Sequence, residues 1–83
     1  MAPQEAEELI HSFQKNYNDE LRIRYREFKE KSYFDMRIFY TDEENHETYP
    51  TRKGLILPIE DLPELLKGLT LLTEQVEKRR VAV

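Results

Sequence analysis

From Leu21 to Phe28 the chain alternates: Leu21, Ile23 and Tyr25 are interleaved with Arg22, Arg24 and Arg26. A repeat of two belongs to a pleated strand and not to a helix, so this segment predicts a half-buried strand with one apolar and one basic face. Side chains on one face recur about every 6.5 to 7 Å, so the three arginines stand in a row. A turn at Lys29, Glu30 and Lys31 leads to a second strand, Ser32 to Tyr40 (SYFDMRIFY), rich in aromatic and β-branched residues. One of its faces holds Phe34, Met36 and Ile38; the other holds Tyr33, Asp35, Arg37 and Phe39, too aromatic for an ordinary solvent face. After an acidic loop from Thr41 to Thr48, residues Tyr49 to Leu57 predict one or two further strands around Pro50 and a turn at Arg52, Lys53 and Gly54, closed by Pro58.

Both flanks read as helical. Ala6, Leu9, Ile10, Phe13 and Tyr17 recur in steps that fit one helical stripe, with Glu5, Glu7 and Glu8 where the helix dipole favours acids, so a helix is predicted over about 3–16. Asn16, Asn18 and Asp19 break it. At the other end Leu62, Leu65, Leu66, Leu69, Leu72 and Val76 mark a long helix, entered through Asp61 as N-cap with Glu64 three residues on and Pro63 in the first turn. Lys78, Arg79 and Arg80 complement its C-terminal end. Gly68 and Leu71 lie off the main stripe, which offers a second apolar contact to another subunit. The fold class is therefore α+β: an antiparallel sheet of three or four strands followed by a long helix. Residues 1–18 read as a helical extension and 19–83 as the domain proper.

At 83 residues the chain forms one small domain, and a single copy buries only about 60 to 65% of the surface that the unfolded chain exposes. Without cysteine there are no disulfides, no thiolate catalysis and no Cys-rich zinc sites, leaving association with a second copy as the source of extra stability. No apolar run approaches the length of a membrane span and the N-terminus lacks the pattern of a signal peptide, so a soluble intracellular protein is expected.

The net charge of −4 argues against a polyanionic partner until it is partitioned. Arg22, Arg24, Arg26, Lys29, Lys31 and Arg37 outweigh Glu27, Glu30 and Asp35 in residues 21–40, and Arg52 and Lys53 are unopposed in 51–58. The acids collect in the first twenty residues, in the loop Asp42, Glu43, Glu44 and Glu47, and in 59–75. A basic face mixed with Phe and Tyr is what single-stranded nucleic acid requires: cations meet phosphates, and rings stack on exposed bases at about 1 to 3 kcal/mol per base. Other chemistries find little support. His11 and His46 have no nucleophile pattern near them, Gly54 and Gly68 cannot make a phosphate loop, and the DEENHE loop lacks the spacing of a calcium site, so no enzyme, metal or cofactor is expected.

Three ordered segments, REFKEK at Arg26 to Lys31, FDMRIFYTD at Phe34 to Asp42 and PTRKGLIL at Pro50 to Leu57, resemble the C-terminal domain of the transcriptional coactivator family of positive cofactor four and its yeast relative Sub-one. There they read approximately R-D-F-K-G-K, I-D-I-R-E-Y-W and P-G-R-K-G-I-S-L, followed by a helix. The resemblance spans about residues 22–78. It implies a curved four-stranded antiparallel sheet with a C-terminal helix, a homodimer formed through helices and sheet, with Leu62, Leu65, Leu66, Leu69 and Leu72 as the helix core, and binding of single-stranded or melted DNA. By motif position Phe28, Lys29 and Lys31 contact DNA, Arg37 reaches the backbone, Tyr40 replaces a stacking tryptophan, and Arg52 and Lys53 hold phosphates. Arg26 matches the family arginine; Arg24 and Arg22 share its strand face. Glu30 and Thr51 replace family glycines, and the acidic loop is one residue longer.

The expected function is a homodimeric, largely sequence-independent single-stranded DNA-binding protein in transcription regulation, with replication or repair as further settings. Two alternatives stand beside it: an interaction module that contacts RNA polymerase or a regulator through the acidic N-terminal helix or the acidic loop, and an RNA-binding protein. Lacking the serine- and lysine-rich region of eukaryotic members, the chain fits a bacterial or phage form, in cytoplasm, nucleoid or infected host; a eukaryotic form would be nuclear.

Overall fold

The computed structural model describes the backbone of residues 5–81. Four strands, β1 (Glu5–Gln14), β2 (Asp19–Phe28), β3 (Lys31–Thr41) and β4 (Thr48–Pro58), form one curved antiparallel sheet in the order β1-β2-β3-β4, followed by a 3-10 turn (Ile59–Asp61) and helix α1 (Leu62–Val81). Each strand pairs with the next in sequence, so hairpin turns set the whole register.

The predicted N-terminal helix is a strand. Residues Glu5 to Gln14 pair along the full length of β2, from Glu5 opposite Phe28 to Gln14 opposite Glu20, with a bulge between Leu9 and His11. The bulge explains the misreading: one extra residue slips the two-residue repeat, so Ile10 and Phe13 reach the same apolar side in a spacing that imitates a helical stripe. Tyr17, the last member of the supposed stripe, lies in the turn and is 85% exposed. The start of that helix, at 3, lies outside the described residues. The 18–19 boundary falls at the β1–β2 hairpin, where the residues read as helix breakers build the turn: the Asn16 Oδ1 accepts the backbone N–H groups of Asn18 and Asp19 at 3.1 and 3.0 Å.

The β2–β3 hairpin turns on Lys29 and Glu30, both at positive φ (50° and 66°), between the paired residues Phe28 and Lys31. This is the two-residue turn whose twist suits a hairpin and which ordinarily takes Asn-Gly. The acidic loop closes as a wider turn: the Asp42 carboxylate accepts the Glu44 N–H at 2.7 Å, the His46 N–H bonds to the Asp42 carbonyl at 2.8 Å, and His46 takes the positive φ of 61°. No turn exists at Arg52–Gly54. One strand, β4, runs through, and a bulge sets Thr51, Arg52 and Lys53 opposite the single residue Ile38. Gly54 is needed there by close approach, since a Cβ would strike the Met36 carbonyl oxygen and lie 2.7 Å from the Arg37 Cα.

Alternation sorts the sheet into two faces. Ile23, Tyr25, Phe34 and Met36 share one, and Arg24, Arg26, Asp35, Arg37 and Phe39 the other. Helix α1 does not seal the apolar face. It leaves an open groove of about 550 Å³ between Ile10, Ile23, Phe34 and Met36 on the sheet and Leu65 and Leu69 on the helix. Among the described residues only Phe34, Ile38 and Phe39 are buried apolar side chains, while Leu66 is 62% exposed. The radius of gyration is 16.2 Å, against about 12 Å for a compact chain of this length. No helix of the described residues is long and apolar enough to cross a membrane.

Candidate nucleic-acid interface

The centre of the basic face is an ion network built on Asp35. Its side chain is 0% exposed and lies 2.6 Å from Arg24 Nη2, 3.2 Å from Arg37 Nε and 3.6 Å from Arg26 Nη1. Register brings them together: Arg24 faces Asp35 across the β2–β3 ladder, and Arg37 stands two residues along the same strand. Arg37 also donates from Nη1 to the Thr51 carbonyl at 2.9 Å, tying β3 to the bulge of β4. On the other side Glu7 of β1 bridges Arg24 Nη1 at 3.2 Å and Arg26 Nε at 3.1 Å, and Arg22 pairs with Glu20 at 2.9 Å.

The aromatic component takes a role that the sequence does not announce. Phe39 is a buried floor and not a bare stacking surface: the guanidinium carbons of Arg22 and Arg24 lie 4.4 and 5.0 Å from its ring centroid. The sheet centre is thus a fixed plate of guanidinium groups held from below by an aromatic ring and from the side by carboxylates.

Unpaired cations stand at the ends of this plate. Among the described side chains, Lys29 and Lys31 at the β2–β3 hairpin and Arg52 and Lys53 on the β4 bulge are exposed and make no ion pair. Lys29 Nζ stands 5.3 Å from the centroid of the exposed Phe28 ring, so the hairpin presents a ring and two ammonium groups together. The bulge is pinned by Thr51, whose hydroxyl donates to the Ile38 carbonyl at 2.7 Å and accepts the Lys53 N–H at 3.2 Å.

The predicted site residues therefore divide. Arg24, Arg26 and Arg37 converge on Asp35, Phe28, Lys29 and Lys31 share the hairpin, and Arg52 and Lys53 share the bulge beside Arg37 and Thr51. Tyr40 is set apart: opposite Asp19 and Tyr49 in an unbroken β2–β3 register, it falls by alternation on the side of Met36 and Ile38, and it is exposed. Sequence reasoning missed Asp35, Glu7 and Thr51 as site builders. The one available signal was Asp35, a lone acid in phase with the arginines of a basic face. Among the described residues no cluster of His, Cys, Asp or Glu can hold a metal.

Residues 15–68 match the family model of Transcriptional Coactivator p15 (PC4). The chain belongs to the PC4 family. Solved structures of related proteins bear out the PC4 fold. A PC4 homologue from Burkholderia pseudomallei K96243, in its orthorhombic crystal form, superposes with a TM-score of 0.72 at 29% identity, covering 80% of this chain and 88% of that one. Its tetragonal form gives 0.73 at 28% identity, with 82% and 98% covered. The bacteriophage T5 homologue of the eukaryotic coactivator PC4, a protein implicated in recombination-dependent DNA replication, shares the fold with a TM-score of 0.67 at 21% identity over 90% of this chain and 83% of that one. No curated protein sequence matches the chain. These matches support a DNA-binding role of the PC4 family for this chain.

Proposed function

We propose that the protein is a homodimeric, largely sequence-independent single-stranded DNA-binding protein that acts as a transcriptional coactivator or regulator. The observation that carries this reading is the placement of exposed cations toward two ends of the sheet: Lys29 and Lys31 with the Phe28 ring at the hairpin, and on the bulge Arg52, which borders the basic-face depression, with Lys53 beside it. A backbone laid between them meets positive charge along its path, and an unpaired base can stack on Phe28, which a base inside a duplex cannot. The open apolar groove and the exposed leucines of α1 support the dimer, since a second copy supplies the burial that one chain lacks. In the alternative reading as an interaction module, the acidic residues of the N-terminal segment would be presented by strand β1 and not by a helix, beside the acidic β3–β4 loop.

Fluorescence anisotropy with a labelled oligo-dT, the matching duplex and the matching RNA tests the proposal. Tighter binding to the single DNA strand than to the duplex at moderate salt is expected. Equal or absent binding to both DNA forms would overturn the reading, and preference for the RNA would transfer the function to that polymer.

A further inference from the structure

Glu7 occupies a position that the proposed function leaves unexplained. It is an acid on the basic face, set by the β1–β2 register directly opposite Arg26. One carboxylate oxygen, Oε1, serves two guanidinium groups, Arg24 Nη1 at 3.2 Å and Arg26 Nε at 3.1 Å. The same two arginines are held from within by Asp35, but the two acids differ in access: Asp35 is 0% exposed and Glu7 is 51% exposed. Asp35 is therefore a fixed counter-charge, while Glu7 sits on an edge strand with its carboxylate half in solvent. Glu7, Arg24, Arg26, Arg37, Phe39 and Arg52 border one open depression on this face.

We infer that Arg24 and Arg26 form a phosphate site which the Glu7 carboxylate fills in the free protein and yields to a DNA phosphate on binding. The inference rests on the proposed DNA-binding role of this face. Carboxylate and phosphate oxygens are interchangeable acceptors for a guanidinium group, and each satisfies the same N–H donors. Exchange costs little because Glu7 returns to water while the arginines remain positioned by Asp35 and, for Arg24, by the Phe39 ring. Glu7 thus sets the affinity of the face without touching the ligand: it competes for the site.

The test is a comparison of Glu7→Gln with Glu8→Gln. Both remove one charge from adjacent positions of β1, but Glu8 borders the apolar groove on the opposite side of the sheet. Glu7→Gln is expected to tighten oligo-dT binding roughly three- to tenfold at moderate salt, the equilibrium effect of releasing two partly exposed ion pairs, with Glu8→Gln changing it less than about twofold. In an Arg26→Ala background the gain from Glu7→Gln should largely vanish, the coupling that a double-mutant cycle measures. Equal gains from both glutamines, or a gain that persists without Arg26, would overturn the inference. Glu7→Asp, which keeps the charge but shortens the reach, should tighten binding as well. Inorganic phosphate separates this idea from the DNA reading: it should shift the Arg26 Nε–H resonance at lower concentration in Glu7→Gln than in the parent, whether or not the parent binds oligo-dT. An unchanged phosphate response would remove the site itself.

Discussion

Glu30 bears on both stability and binding. Its φ of 66° lies in the left-handed region, which costs a residue with a Cβ about 1 to 2 kcal/mol, and in the chain it adds an acid between the two hairpin lysines. Glu30→Gly is expected to raise unfolding free energy by about 1 kcal/mol in urea titrations and to tighten single-strand binding. Glu30→Gln separates the two effects, since it removes the charge and keeps the strained backbone: affinity should rise while stability stays level. Asp35 is the opposite case. Asp35→Asn leaves three guanidinium groups without their shared buried counter-charge, which should cost about 3 kcal/mol, enough to unfold much of a small domain in a thermal melt. The same geometry splits the cations. Arg37→Ala should lower stability together with affinity, because Arg37 bonds Asp35 and the Thr51 carbonyl. Lys29→Ala, Lys31→Ala, Arg52→Ala and Lys53→Ala should lower affinity at unchanged melting temperature. Identical melting behaviour of Arg37→Ala and Lys53→Ala would contradict this division.

Among the elements, β2 and β3 are legible from alternation alone, because the register between them is unbroken and each residue keeps its parity. The two bulged strands are not. In β1 a bulge at Leu9–His11 counterfeits a helical period, and in β4 a bulge at Thr51–Lys53 looks like a turn because Arg-Lys-Gly has the composition of one. Single-sequence periodicity cannot register an inserted residue, since the bulge is defined by the partner strand. The basic face is legible as a set of residues, but its wiring is hidden: cross-strand partners decide that Asp35 and Glu7 engage the arginines internally. Gly54 tests the β4 arrangement. Gly54→Ala drives a Cβ into the β3 backbone and should cost about 3 kcal/mol in denaturant titrations, while Gly68→Ala on α1, where nothing lies within 4 Å, should be neutral or stabilising by up to about 1 kcal/mol. Equal effects at the two glycines would refute the close β3–β4 approach.

The molecule as a whole is a plate with a helix that does not close over it, and this shape follows from a shortage of core in a short chain. Exposed Leu66, Leu69 and Leu72 continue the apolar surface of the groove, the surface on which the proposed second copy would complete the fold. Leu66→Glu is expected to halve the mass seen by sedimentation equilibrium and to lower the melting temperature; a parent protein that sediments as a monomer would contradict the dimer. The acids follow the same logic at this scale: the β3–β4 loop and Glu7 of β1 bring negative charge beside the basic face, which would confine the phosphate backbone of the proposed DNA ligand. The central claim is that the four exposed cations at the hairpin and the bulge supply the standing phosphate contacts of the proposed DNA ligand, while the arginine network holds the plate and opens its own phosphate site only when Glu7 yields. It is tested most directly by the salt dependence of oligo-dT anisotropy for the parent and for the combined Lys29→Ala, Lys31→Ala, Arg52→Ala, Lys53→Ala variant, checked to melt alike. A log–log slope shallower by about 0.7 for each phosphate no longer neutralised, with affinity greatly reduced, is the expected result; an unchanged slope and affinity would contradict it.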